Sequence, residues 1–165
     1  LIHSKLKVLK SQLKDKIQIV LPLTYGSSKF KKSQIEALFI RSGFDTISYK
    51  KKLNLDELCC LRLSADIVLN FQISDAFSAS LQEHFFSNSI MILANWLPYE
   101  WLKQKGIYFH SINSEEIVFS FTKIMENMLE EKNKSNENKK IISNISAWDI
   151  VSKSWCADYR TLMNY

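Results

Sequence analysis

Two carboxylates and the start of one helix carry what chemistry this sequence offers. Asp75 and Glu83 stand eight positions apart in the run A-D-I-V-L-N-F-Q-I-S-D-A-F-S-A-S-L-Q-E, which opens at Ala65. The apolar stretch from Asp66 to Phe71 reads as a strand, and a helix is predicted from about Ala76 to Asn88. Asp75 then sits just outside the helix and Glu83 about two turns along it. At ~1.5 Å of rise per residue the two acids are roughly 12 Å apart along the axis. A glycosidase acid/base pair needs roughly 5 to 9.5 Å, so these acids suit different parts of one extended ligand. The N–H groups of Ala76, Phe77 and Ser78 fall in the first turn, where donors are unpaired and the helix dipole is positive. A diphosphate fits such a place. The same spacing equally suits a plain helix cap at Ser74 or Asp75 and a solvated Glu83.

The elements that must position these residues alternate along the chain. Leu6, Leu9 and Leu13 form a helical stripe beside Lys7, Lys10 and Lys14. Ile17 to Leu23 is an apolar strand ending at Tyr25-Gly26, and Lys31 to Ser42 is a helix closed by Gly43. A short strand from Thr46 to Tyr49 and a helix from Leu53 to Ala65 precede the strand from Asp66 to Phe71. That strand is apolar on both faces, as buried parallel strands are. Ser89 to Ala94 is the next strand, Pro98 to Lys105 a short helix, Ile107 to His110 a brief strand, and Ser114 to about Glu131 a long helix. Such alternation implies crossovers and a parallel sheet covered on both sides. The expected fold is an α/β, Rossmann-like three-layer sandwich with a C-terminal amphipathic helix.

Three parts are expected: a Rossmann-like domain over 1–131 lacking its first strand, a polar linker over 132–140, and a C-terminal helix over 141–165. The linker reads K-N-K-S-N-E-N-K-K, without an apolar residue. In the last part Ile141, Ile145, Trp148, Val151, Trp155, Tyr159 and Leu162 recur at spacings of three and four. That face suits packing on its own domain or on another.

Composition narrows the classes. Charged residues make up 24% and hydrophobic residues 46%, which is globular composition and excludes wholesale disorder. Net charge is +5, enough to favour an anionic ligand or an acidic membrane surface but far from a nucleic-acid-binding signature. Cys59, Cys60 and Cys156 form neither a CxxC pair nor a disulfide framework. His84 and His110 lack partners at metal-ligand spacing, so neither metal nor cofactor is expected. No apolar run is long enough to cross a bilayer. The chain opens at Leu1 inside a helical pattern, as an N-terminally truncated piece would.

At the acidic run the sequence resembles the donor-binding domain of GT-B fold glycosyltransferases, family 4-like and of the bacterial surface-polysaccharide type. A-D-I-V-L-N is similar to their strand, Asp75 and Glu83 to their acidic pair, and S-I-M-I-L-A-N to the strand that follows. W-L-P-Y-E-W-L-K-Q-K-G-I and, more loosely, L-P-L-T-Y-G resemble further segments of such transferases. The likeness runs from about Ile17 to Leu129. It implies that Asp75 contacts the transferred sugar, that Glu83 binds the ribose hydroxyls, and that the amides at Phe77, Ser78 and Ala79 face the diphosphate. Tyr25 and Gly26 would line the nucleobase slot, or simply turn the chain. This sequence departs from the family at Asp75, where Glu is usual, and at Ser78 and Asn88, where glycine is common. The family's basic pair against the diphosphate is expected upstream, between the missing first strand and its helix, and that role is not carried over to Lys5, Lys7 or Lys10.

The resemblance implies transfer of a sugar from a nucleotide-sugar donor to a glycan or lipid-linked acceptor, without a metal and with retention. An N-terminal acceptor domain would complete the cleft, and this piece alone would bind nucleotide without turnover. The expected setting is the cytoplasm, with peripheral contact at the inner face of a membrane. A non-catalytic, transferase-like binding or scaffold module is the alternative. A phosphoacceptor receiver domain is disfavoured, because the acidic pair that should end its first strand is absent or truncated.

Overall fold

The computed structural model describes residue 8, residues 17–24 and residues 31–163. The expected first-helix stripe of Leu6, Leu9 and Leu13 beside Lys7, Lys10 and Lys14, and the expected nucleobase residues Tyr25 and Gly26, lie outside the described residues. Contacts divide the chain into two compact units. One holds residues up to Leu61 together with Asn113–Glu126, and the other Arg62–Ile112 together with the chain from Asn127 onward.

The fold is mixed α/β of Rossmann-like type, and every strand pairing described is parallel. In the first unit β1 (Gln18–Pro22) pairs in register with β2 (Asp45–Tyr49), Val20 opposite Ile47. The helix α1 (Lys32–Arg41) connects them, as a parallel pair requires. Gly43 follows at φ 81, the left-handed value that a helix-ending glycine adopts without a Cβ penalty. Glu36 of α1 accepts from Ser48 and pairs with Lys50, tying the helix to β2 and its exit. The helix α2 (Leu55–Ser64), whose residues from Arg62 onward belong to the second unit, opens on a reciprocal cap. Asn54 N–H donates to Glu57 and Glu57 N–H to Asn54, both at 2.8 Å. The helix α5 (Ile117–Glu126) also belongs to this unit and buries Ile117, Phe121 and Ile124.

The second unit is built on β3 (Ile67–Asn70), β4 (Ile90–Ala94) and β5 (His110–Ile112), in that spatial order. All five residues of β4 are buried, as its apolar sequence and central place in a parallel sheet demand. The crossovers are α3 (Ala79–Phe86) and α4 (Glu100–Gln104). Leu81, Phe85, Leu93, Leu102 and Ile107 join one core cluster, against which Val68, Phe71 and Phe77 pack. Gly106 ends α4 at φ 86, and a Cβ there would stand 3.4 Å from Ile141.

Four expectations change. The single expected sheet is two, β1–β2 and β3–β4–β5. The strand expected at Ile107 to His110 lies at His110–Ile112. The expected linker is helical: α6 (Met128–Asn136) and α7 (Asn138–Ser146) cover it, with Ser135 and Asn138 fully buried. Asn138 earns its burial by a two-way clamp on one residue, accepting from Tyr108 N–H at 2.7 Å and donating to Tyr108 C=O at 2.8 Å. The C-terminal helix starts late, because Ala147 leaves helical geometry at ψ 136. Ile141 and Ile145 therefore lie on α7, and α8 (Trp148–Met163) carries the remaining aromatic stripe. Cys59, Cys60 and Cys156 are all exposed.

Candidate ligand-binding site at the strand ends

Parallel sheets present their ligand crevices beyond the carboxyl ends of the strands. In the second unit those ends are Asn70 and Ala94, and the loops leaving them share one hydrogen-bond chain. Trp96 Nε1–H donates to Gln72 C=O at 2.8 Å, Gln72 N–H to Asn70 Oδ1 at 3.3 Å, and Asn70 Nδ2–H to Asp75 Oδ2 at 3.0 Å. Ser78 Oγ–H donates to the same Asp75 oxygen at 3.3 Å. Asp75 is thus the hub of the loop between β3 and α3.

Its electrostatics follow from those partners. Burial works to raise the Asp75 carboxyl, but Tyr99, Asn70 and Ser78 outweigh it and hold the group below its ordinary value. Burial and the neighbouring Asp75 push the Tyr99 phenol well above its usual range. The buried Tyr99 hydroxyl lies beside Asp75 without a hydrogen bond of good geometry. The carboxylate is therefore charged at neutral pH, with much of its accepting capacity turned toward the protein.

The helix begins later than its sequence suggests. Ser78 is the N-cap and Ala79 the first residue of α3, so Asp75 and Ala76 belong to the loop. Ser78 Oγ accepts from Leu81 N–H at 3.4 Å, and the amides of Ala79 and Ser80 have no partner inside the helix. Of the residues expected to meet a diphosphate, Ser78 and Ala79 stand at this helix mouth. Phe77 does not: it takes φ 58, a left-handed value that a bulky side chain adopts only when its surroundings hold it. They do, since its ring meets Tyr99 and Trp101 edge-on at 6.4 and 5.2 Å. Gln82 also donates to its carbonyl at 2.7 Å.

Glu83 belongs to a different network from Asp75. Arg62 of α2 donates from Nε to Glu83 Oε2 at 3.0 Å, and the Glu83 side chain is 47% exposed. The second Arg62 arm reaches His84 Nε2 at 3.0 Å. A guanidinium can only donate, so that nitrogen accepts and His84 Nδ1–H points at Ser89 Oγ, 3.2 Å away. Burial, then the Arg62 charge, lowers the His84 pKa to about 4 and keeps the ring neutral.

A second polar cluster lies where the start of β5 meets α6. Tyr108 O–H donates to Glu131 Oε2 at 2.7 Å, His110 Nε2 meets the same oxygen at 2.7 Å, and Lys134 donates to Oε1 at 3.2 Å. Burial, then Glu131, lifts Tyr108 to about 12, while these three donors overcome burial and hold Glu131 low. The cluster ties β5 to α6. His110 thus has a partner that no sequence spacing announced. Among the described residues no group of three or more His, Cys, Asp and Glu could hold a metal ion. Among them, too, no helix is long and apolar enough to cross a membrane.

No protein-family model matches this chain, and no curated protein sequence matches it.

Proposed function

We propose that this chain is a nucleotide-sugar-binding unit of a GT-B-type glycosyltransferase, acting with a second domain that supplies the acceptor. One observation carries the reading: the Asp75 hub and the mouth of α3 stand together beyond the ends of β3 and β4. The resemblance of the surrounding run to family 4-like transferases supports it. The donor diphosphate rests against the Ala79 and Ser80 amides, and Asp75 holds the loop that frames the sugar. Charge growing on the departing diphosphate is met by fixed helix donors, an arrangement that costs no reorganisation as the bond breaks. The acceptor is a glycan or a lipid-linked sugar, and the reaction retains configuration without a metal.

The test is a titration of UDP-, GDP-, ADP- and dTDP-linked hexoses, followed by amide NMR. The expected outcome is saturable shifts at Ser78 to Leu81 with at least one donor. Glu83→Gln should weaken that donor several-fold, and equal affinity would remove Glu83 from ribose binding. A panel in which no donor moves the α3 amides would sink the reading as a whole.

A second reading is favoured by the same geometry. Asp75 spends hydrogen bonds on Asn70 and Ser78, and Glu83 is paired with Arg62. A binding module that keeps the fold without turnover fits carboxylates so engaged. Donor binding without transfer, when an acceptor domain is supplied, would select it.

A further inference from the structure

The geometry points to Trp96 as a stacking platform for the sugar ring of the donor, an inference that rests on the reading just given. Trp96 follows β4 and leaves 49% of its surface in water. Lone exposed aromatics are common, but this one is held at its ring nitrogen, by a neighbouring ring and by its backbone. Its only polar atom is spent on Gln72 C=O at 2.8 Å. Its ring lies edge-on to Phe71, centroids 5.8 Å apart at 75°. The backbone around it is pinned by Asn95 N–H donating to Ile112 C=O at 2.9 Å and Leu97 N–H to Ala94 C=O at 3.1 Å.

What such an indole offers a ligand is a rigid apolar face with negative charge at its centre. The C–H face of a pyranose, slightly positive, is its natural complement. The hydroxyls around such a ring need acceptors, and Trp96 is joined through Gln72 and Asn70 to the charged Asp75. A carboxylate that can only accept, tied through Asn70 and Gln72 to a held aromatic face, is chemistry for a sugar more than for a base. Bases need donors and acceptors on one edge. Ordering costs are small because the indole is already in place.

The test follows the Trp96 indole N–H signal, assigned through Trp96→Phe, with Trp101, Trp148 and Trp155 as internal controls. The 165-residue chain is titrated with the same nucleotide-linked hexoses and, separately, with the bare nucleoside diphosphates. The linked sugar should shift the Trp96 signal and the bare diphosphate should leave it unmoved. Trp96→Ala should weaken the linked sugar about tenfold while the bare diphosphate binds unchanged, and Trp96→Phe should stay within about threefold. A bare diphosphate that shifts Trp96 equally would mean base stacking and overturn the inference. So would donor shifts at the α3 amides with Trp96 silent and Trp96→Ala binding normally; in that case donor binding itself survives. Failure of every donor to move the α3 amides removes both.

Discussion

Among the described residues two outside glycine adopt positive φ, Phe77 at 58° and Asn88 at 62°. They have different remedies for the same strain. Phe77 is held by rings on its flank, whereas Asn88 relies on being the side-chain type that best tolerates this region. Its Oδ1 is nonetheless buried without a partner. Asn88→Gly should therefore be at least as stable as the parent. Asn88→Ala, which keeps a Cβ and loses the local tolerance, should be less stable by about 1 kcal/mol. Urea unfolding of the three proteins orders them; Ala at or above Asn would refute the strain argument. At this scale the sequence was readable in part. A glycine-like requirement at position 88 could be suspected, and Asp75 stood out as an acid near a helix start. Its neighbour Tyr99 and the link from Trp96 to Gln72 could not be seen, because contacts between two loops leave no period in the chain.

The elements repeat that division. Strands and helices with strong apolar patterning, such as β4 and α1, lie within a few residues of where their sequence places them. The misses come where polar residues are buried. Residues 132–140 look solvated because nothing in them is apolar, yet Ser135 and Asn138 are inside, the latter for its two bonds to Tyr108. The α3 start moved because Phe77 takes a turn conformation that no propensity favours. His84 is the joint between elements: it links Arg62 of α2 to Ser89 at the foot of β4. Its folded pKa lies below the ordinary 6.5, at about 4. The stability it confers is thus fully present above pH 6.5 and is lost as pH falls toward 4, because the unfolded state takes up the proton first. The full drop corresponds to roughly 3 kcal/mol. Urea midpoints stepped from pH 7.5 to 4 should fall accordingly, and His84→Gln should flatten that slope whatever its stability at neutral pH. Parallel slopes for the two proteins would show that the ring titrates normally.

Taken as a whole, the molecule spreads its order unevenly. The second unit gathers its buried apolar side chains around β4, and α7 packs on α3. From Lys153 to Met163, by contrast, every residue of α8 is exposed, Trp155 and Tyr159 among them. A helix of sixteen residues with so little cover is near the margin of persistence in water. Its amides should trade hydrogen for deuterium within seconds to minutes, while those of β4 wait for global opening. Trypsin should clip at Lys153 and Arg160 long before it reaches the strands. Mass spectrometry of a timed digest reads both, and protection of α8 equal to that of β4 would contradict the arrangement. A chain kept this way wears out from its tail inward, shedding its most aromatic helix first while the floor beneath Asp75 stays intact.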